Sequence, residues 1–245
     1  MSDNDVRQSG RSGPPAYSGW LVHAFTASGA MLAFFALMAI ERADWPLALL
    51  CLFLALVVDG IDGTFARWAR VEETAKHVDG DTLDLVVDYL TYVFVPAVFI
   101  WRAGLIPESA ALPLVAAIQF SSLYLFARTD MKTSDNYFRG FPALWNLVAF
   151  YLFALNLGPA AGAIIVCLFA ALTFAPVHFI HPFRVRDYGH WPSVISVMWI
   201  ASSGALLWLS VPGASRTVSL VFSIVTASIL LGMGLLRTMR GAREA

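Results

Sequence analysis

The sequence predicts an all-α polytopic membrane protein of about eight transmembrane helices with both termini cytoplasmic, and three observations carry that expectation. Hydrophobic residues make up 58% of the 245 against 13% charged, with a mean hydropathy of +0.69, a composition far from that of a soluble domain of this length. Runs without Asp, Glu, Lys or Arg cover 21–40, 109–127, 140–183, 191–215 and 217–236, and a membrane helix needs roughly 20 apolar residues. Finally, the basic residues are distributed unequally between the two sets of connections that these runs define.

Taken in order, the first helix is expected at about 20–40, after an 18-residue stretch, MSDNDVRQSGRSGPPAYS, that lacks an apolar core and a cleavage site. That stretch reads as a disordered cytoplasmic tail. Helices at about 45–66 and 84–102 reach spanning length only by including aspartates at one end. A fourth follows at about 109–128. The run over 140–183 is long enough for two spans, about 140–157 and 159–180, divided by Gly158-Pro159, a natural turn between helices. The last two are expected at about 191–211 and 215–236, ahead of a short basic tail over 239–245. No soluble domain, repeat or long linker interrupts the set, so 19–238 reads as a single transmembrane catalytic domain.

With eight spans, 13 of the 16 Lys and Arg residues fall on the side of the termini, and only Arg42, Arg102 and Arg216 fall opposite. Positively charged connections stay inside. The connection between the second and third helices therefore faces the cytoplasm. Cys51 and Cys167 lie within expected spans without metal-ligand spacing, and nothing calls for a disulfide.

The chemistry is concentrated in VVDGIDGTFARWARVEETAKHVDGDTLDLVVDYL, residues 57–90. Ionisable residues in membrane segments are costly and by default functional. Capping explains Asp59 and Asp62 badly, because acids belong at helix N-termini and these stand near a C-terminal end. An EF-hand fails as well, since the twelfth position counted from Asp59 is Arg70 and not a carboxylate. Residues three and four apart share a helix face, so Asp59 and Asp62 fit one helix and Asp84 and Asp88 the next. Four converging carboxylates repel one another unless cations join them, which points to a divalent metal site. Gly63, Ala66 and Gly80 keep the neighbouring surfaces small, and Arg67 offers a planar fork of donors to phosphate.

These residues carry a resemblance. DxxDGxxAR over 59–67 followed by GxxxDxxxD over 80–88 is similar to the signature of the CDP-alcohol phosphotransferases, membrane enzymes that cleave a CDP-linked substrate and pass its phosphoryl-bearing half to an alcohol. Twelve residues, Trp68 to Asp79, separate Arg67 from Gly80, where most of that family has about eight. This longer spacing, the eight expected spans, NYFRGFPALWN over 136–146 and HPFRVR over 181–186 resemble the branch of bacterial phosphatidylcholine synthases.

The resemblance implies an inner-membrane enzyme of phospholipid biosynthesis with CDP-diacylglycerol and choline as substrates, CMP as a product, a pair of Mn²⁺ or Mg²⁺ ions, and a possible homodimer. It implies that Asp59, Asp62 and Asp84 ligate the metals, with Asp88 as general base, metal ligand or both. Gly63, Ala66 and Gly80 would make room for the cytidine and ribose, with Arg67 near the phosphates. Arg184 and Arg186 are further candidates for phosphate, while Tyr92, Trp145, Asn146 and Tyr151 are candidates for the acceptor site. Asp130 and Asp135 could attract choline, or simply belong to a solvated loop. No nucleic acid is expected as a partner. The competing readings are a relative using another alcohol such as serine, an aspartate-rich intramembrane prenyltransferase, and a cation transporter. The last would need a polar route across the membrane that the remaining spans do not offer.

Overall fold

The computed structural model describes residues 15, 17–208 and 214–241. Most of the expected N-terminal tail, residues 242–245 and the end of the span expected over 191–211 lie outside the described residues. The fold is mostly helical. Five helical stretches are long and apolar enough to cross a membrane: Ser18–Glu41, Trp45–Ala69, Gly80–Arg102, Glu108–Ala127 and Ser215–Arg240.

Helix α1 (Ser18–Glu41) packs along α2 (Trp45–Ala69), and the Ser18 hydroxyl donates to the Ala69 carbonyl at 3.3 Å. The start of α1 and the end of α2 therefore lie together. Asp44 caps α2 by accepting from the Leu47 N–H at 3.2 Å, and Pro46 occupies the first turn, where its missing N–H costs nothing. Arg70 ends α2 in the left-handed region at φ 46°. The longer connection then coils into the short α3 (Val71–Thr74), and the Thr74 hydroxyl bonds back to the Ala69 carbonyl at 3.1 Å.

Asp79 caps α4 (Gly80–Asp88), accepting from the Thr82 N–H at 3.1 Å and the Thr82 hydroxyl at 2.8 Å. A π-helical turn over Tyr89–Phe94 joins α4 to α5 (Val95–Arg102). Pro96 supplies the cause, since it cannot donate to the Tyr92 carbonyl and its ring crowds that group. The ladder widens just past Asp88. Such turns recur at functional sites.

After a short 3₁₀ turn, α6 (Ala111–Ala127) leads to strand β1 (Tyr137–Arg139). Helices α7 (Trp145–Ala154) and α8 (Pro159–Leu172) precede β2 (His178–Ile180), and α9 (Trp191–Trp208) and α10 (Ala214–Arg240) close the chain. The bounds expected for the helices over 140–157 and 159–180 are corrected here. Gly140 at φ 82°, Pro142 and Ala143 at φ 55° hold the chain out of helix before Trp145, which leaves α7 ten residues long and about 15 Å in length. The segment after α8 is diverted into β2, antiparallel to β1, with Phe138 opposite Phe179. A Cβ on Gly140 would stand 2.3 Å from the Thr173 carbonyl oxygen, so only glycine permits that approach.

This small sheet ties together two connections far apart in sequence, and α10 docks on it. The His178 N–H donates to the Thr238 hydroxyl at 2.7 Å, and Arg237 Nε donates to Asp135 at 2.7 Å. The core around α5, α7 and α8 is aromatic and aliphatic, with Phe99, Ile100, Trp145, Leu152 and Val166 fully enclosed.

Candidate metal centre and substrate cleft

Helices α2 and α4 bring the four expected carboxylates to one cleft, lined also by Thr26 and Gly29 of α1 and by Thr91. Asp59, Asp84 and Asp88 each offer an oxygen within 4.8 Å of the other two. Asp62 sits beside them and is buried, its Oδ2 accepting from the Thr26 hydroxyl at 2.8 Å. No Lys or Arg forms a salt bridge with any of the four among the described residues. A set of hard, anionic oxygens so little compensated by side chains matches the ligand preference of Mg²⁺ or Mn²⁺, and the donor set fits a divalent cation.

Two supporting groups escaped the sequence reading or received a different role in it. Thr26 comes from a helix that carries no part of the motif. Tyr92, expected near the acceptor, donates its hydroxyl to Asp59 Oδ2 at 2.5 Å and is itself buried. It braces a carboxylate of the cluster.

Gly63 and Ala66 are half-buried, and Arg67 is exposed. The Arg67 guanidinium folds back along α2, donating to the Thr64 hydroxyl at 3.1 Å and passing 3.6 Å from where a Gly63 Cβ would stand. Gly80 lets α4 meet α1 closely, since a Cβ there would lie 3.2 Å from the His23 ring.

The other acceptor candidates are engaged elsewhere. Trp145 is fully buried, donates from Nε1 to the Ser122 hydroxyl at 2.9 Å and meets Phe141 edge-on at 5.1 Å. Asn146 is buried and accepts from the Leu147 N–H at 2.9 Å. The Tyr151 hydroxyl accepts from Trp199 Nε1 at 2.7 Å and pairs with the Ser223 hydroxyl at 2.8 Å. Asp130 is gripped by Arg128 Nε and Nη2 at 2.8 and 2.9 Å and by Arg139 at 3.1 Å, and the bond from Arg128 holds its carboxyl down at about 2. Asp135 belongs to Arg237. Asp130 ties its loop to β1, and Asp135 ties its loop to α10.

Arg184 and Arg186 are exposed on the turn after β2. Lys132, from the loop before β1, lies over the Phe138 ring, where the charges of Arg184, Asp84, Asp88 and Asp59 act on it. Sequence reasoning placed Lys132 among the topology-setting cations. Only the pairing of β1 with β2 brings it here.

With that geometry in hand, comparison with known proteins separates the competing readings. The family model for CDP-alcohol phosphatidyltransferase matches residues 22–176. The chain belongs to the CDP-alcohol phosphatidyltransferase family. It is 49% identical over 188 residues to a phosphatidylcholine synthase of Pseudomonas aeruginosa, covering 77% of this chain and 79% of the relative. A phosphatidylcholine synthase of Bradyrhizobium diazoefficiens is 44% identical over 188 residues, 76% of this chain and 67% of its own. One of Rhizobium johnstonii is 36% identical over 213 residues, 87% of each. The region matched by the family model contains all four aspartates, Arg67, Gly80 and Lys132, whereas α9 and α10 lie beyond it.

Proposed function

We propose that this protein is a CDP-diacylglycerol–choline O-phosphatidyltransferase, a phosphatidylcholine synthase of the bacterial inner membrane. The observation that carries the reading is the convergence of the four motif aspartates in one cleft of a chain 49% identical to a phosphatidylcholine synthase. The three shorter apolar helices join the five long ones as eight passes in a single catalytic domain over 19–238. Both termini and the aspartate cleft then face the cytoplasm, where the basic connections belong. A homodimer is the assembly that the family resemblance implies.

Asp59, Asp62 and Asp84 would hold two divalent cations, Mn²⁺ or Mg²⁺, with Asp88 completing the set or acting as base. Cations bound there would supply charge neutralisation for the pyrophosphate and for the departing CMP. The flat surface at Gly63, Ala66 and Gly80 receives the cytidine and ribose, and Arg67 meets the phosphates, with Arg184 and Arg186 as further phosphate contacts. Asp88 accepts the choline hydroxyl proton as the choline oxygen bonds to the phosphorus bearing diacylglycerol. The bond from that phosphorus to the CMP oxygen breaks, giving phosphatidylcholine and CMP. The donor's acyl chains remain in lipid throughout, which suits a site at the end of a membrane bundle.

The test is purified protein in mixed micelles with CDP-diacylglycerol, a divalent cation, and choline, serine or ethanolamine side by side. Choline is expected to be the preferred acceptor. Faster turnover with serine would leave the metal site standing and overturn the acceptor assignment.

A further inference from the structure

On the face that carries the sheet, three arginines are already paired with acids. Arg128 and Arg139 share Asp130, and Arg237 pairs with Asp135. Lys132 and Arg184 are in no salt bridge among the described residues, yet the fold brings their segments together through Phe138 and His181. Lys132 forms an antiparallel bridge with Phe138, and its Nζ stands 5.2 Å from the Phe138 ring centroid. That ring stacks on His181 at 5.5 Å and 7°, and the Arg184 N–H closes a turn onto the His181 carbonyl at 3.1 Å. His181 Nδ1 is buried without a hydrogen-bond partner.

The crowding has an electrostatic cost. Desolvation, and then the neighbouring Arg184 charge, hold the Lys132 ammonium below its ordinary range. Burial, then Lys132 and Arg184, push His181 down to about 4, so it is neutral at physiological pH. Like charges that disfavour one another in this way are relieved by an anion placed among them. The occupant is not choline, whose fixed positive charge the cluster would repel. It belongs to the other substrate.

We propose that Lys132 and Arg184, with His181 against them, form a phosphate subsite beside the aspartate cluster that holds the lipid-bearing phosphate of the liponucleotide donor. The inference rests on the donor reading above and extends it. The charges of Asp84, Asp88 and Asp59 act on the Lys132 ammonium, while Asp62 is held by Thr26 of α1 and Arg67 folds along α2. A pyrophosphate laid across the cluster thus has two ends in different company. Its nucleotide end lies towards Gly63 and Arg67, which leaves the end attached to diacylglycerol for Lys132. In that place the ammonium holds the phosphorus that changes partners.

CDP carries both phosphates and CMP only the nucleotide one, so calorimetric titration of the full-length protein in detergent with each, at fixed Mn²⁺ or Mg²⁺, isolates the subsite. Lys132→Met and Arg184→Met should each weaken CDP roughly tenfold, the scale of a lost charge-assisted contact. CMP binding should move less than about twofold, and Lys132→Arg should recover much of the loss. Retained CMP binding also reports that the variants are folded. Equal loss of CDP and CMP in both Met variants, or undiminished CDP binding, would overturn the subsite. A variant that weakens association with phosphatidylglycerol micelles but leaves CDP unchanged would assign the cluster to surrounding lipid headgroups instead, and the donor assignment would fall. Failure of the choline reading looks different: wild-type protein would still bind CDP more tightly than CMP through Lys132 while forming no phosphatidylcholine.

Discussion

Replacing Tyr92 with Phe removes one oxygen and separates two roles for this residue. The ring stays in its buried place, 6% exposed, while the hydroxyl bond to Asp59 Oδ2 is lost. A hydrogen bond to a charged group contributes about 1.5–3 kcal/mol, and about 1.4 kcal/mol is one decade. If that bond orients Asp59 as a metal ligand, the loss falls on metal affinity, where supporting groups of this kind contribute about 10- to 100-fold. The assay is the initial rate of phosphatidylcholine formation against Mn²⁺ concentration, at saturating CDP-diacylglycerol and choline. Tyr92→Phe should raise the half-activating concentration about 10- to 100-fold, with most of the maximal rate recovered at high metal. An unchanged metal requirement with a tenfold higher KM for choline would refute the bracing role and return Tyr92 to the acceptor site.

Asp59→Ala, Asp62→Ala and Asp84→Ala should each remove nearly all transfer while the protein still inserts and folds; near-normal turnover in a folded Asp62→Ala protein would sink its place in the metal set. Trp145→Leu should cost stability on the order of 3 kcal/mol, read as a lower thermal midpoint in detergent, because the enclosed ring and its bond to Ser122 are lost; a selective rise in the choline KM with unchanged stability would put the ring at the acceptor. Despite the burial that opposes it, the Arg237 bond lowers the Asp135 pKa, so this anchoring of α10 is present above the ordinary carboxylate range and lost as pH falls through the depressed value. Arg237→Met should lower the thermal midpoint at neutral pH and do little once Asp135 is protonated. Cysteines placed over Trp68 to Asp79 should react with an impermeant thiol reagent only after the cytoplasmic face is opened, with Ser109→Cys reacting from outside; labelling of the loop in intact cells would reverse the orientation.

The aspartate quartet was legible because helical spacing alone puts Asp59 with Asp62 and Asp84 with Asp88, and an apolar chain gives carboxylates no cheap alternative. The long helices were legible for a similar reason, as uninterrupted apolar runs. What stayed hidden depends on contacts between distant segments. The short α7 follows from Gly140, Pro142 and left-handed Ala143, whose combined effect is invisible to hydropathy. Lys132 meets the segment of His181 and Arg184 only because β1 pairs with β2 across some forty residues of sequence, and three-residue strands leave no periodic trace. Trp145 and Tyr151 stood near a suggestive segment, but proximity in sequence said nothing about which way their rings pack. The π-helical turn had one sign, Pro96, inside an otherwise continuous run. Thr26 carried none, since a hydroxyl on an apolar helix satisfies itself as readily on its own backbone.

The aspartate cleft is proposed to transfer a phosphatidyl group from CDP-diacylglycerol to choline in a divalent-metal-dependent reaction. The most direct measurement follows labelled choline and CMP together in a reconstituted reaction of purified protein, with and without a chelator, for the wild type and Asp84→Ala. One phosphatidylcholine is expected for each CMP released, both abolished by chelation, restored by Mn²⁺ or Mg²⁺, and absent in Asp84→Ala. Equal phosphatidylcholine formation in chelator, or in a folded Asp84→Ala protein, would contradict it.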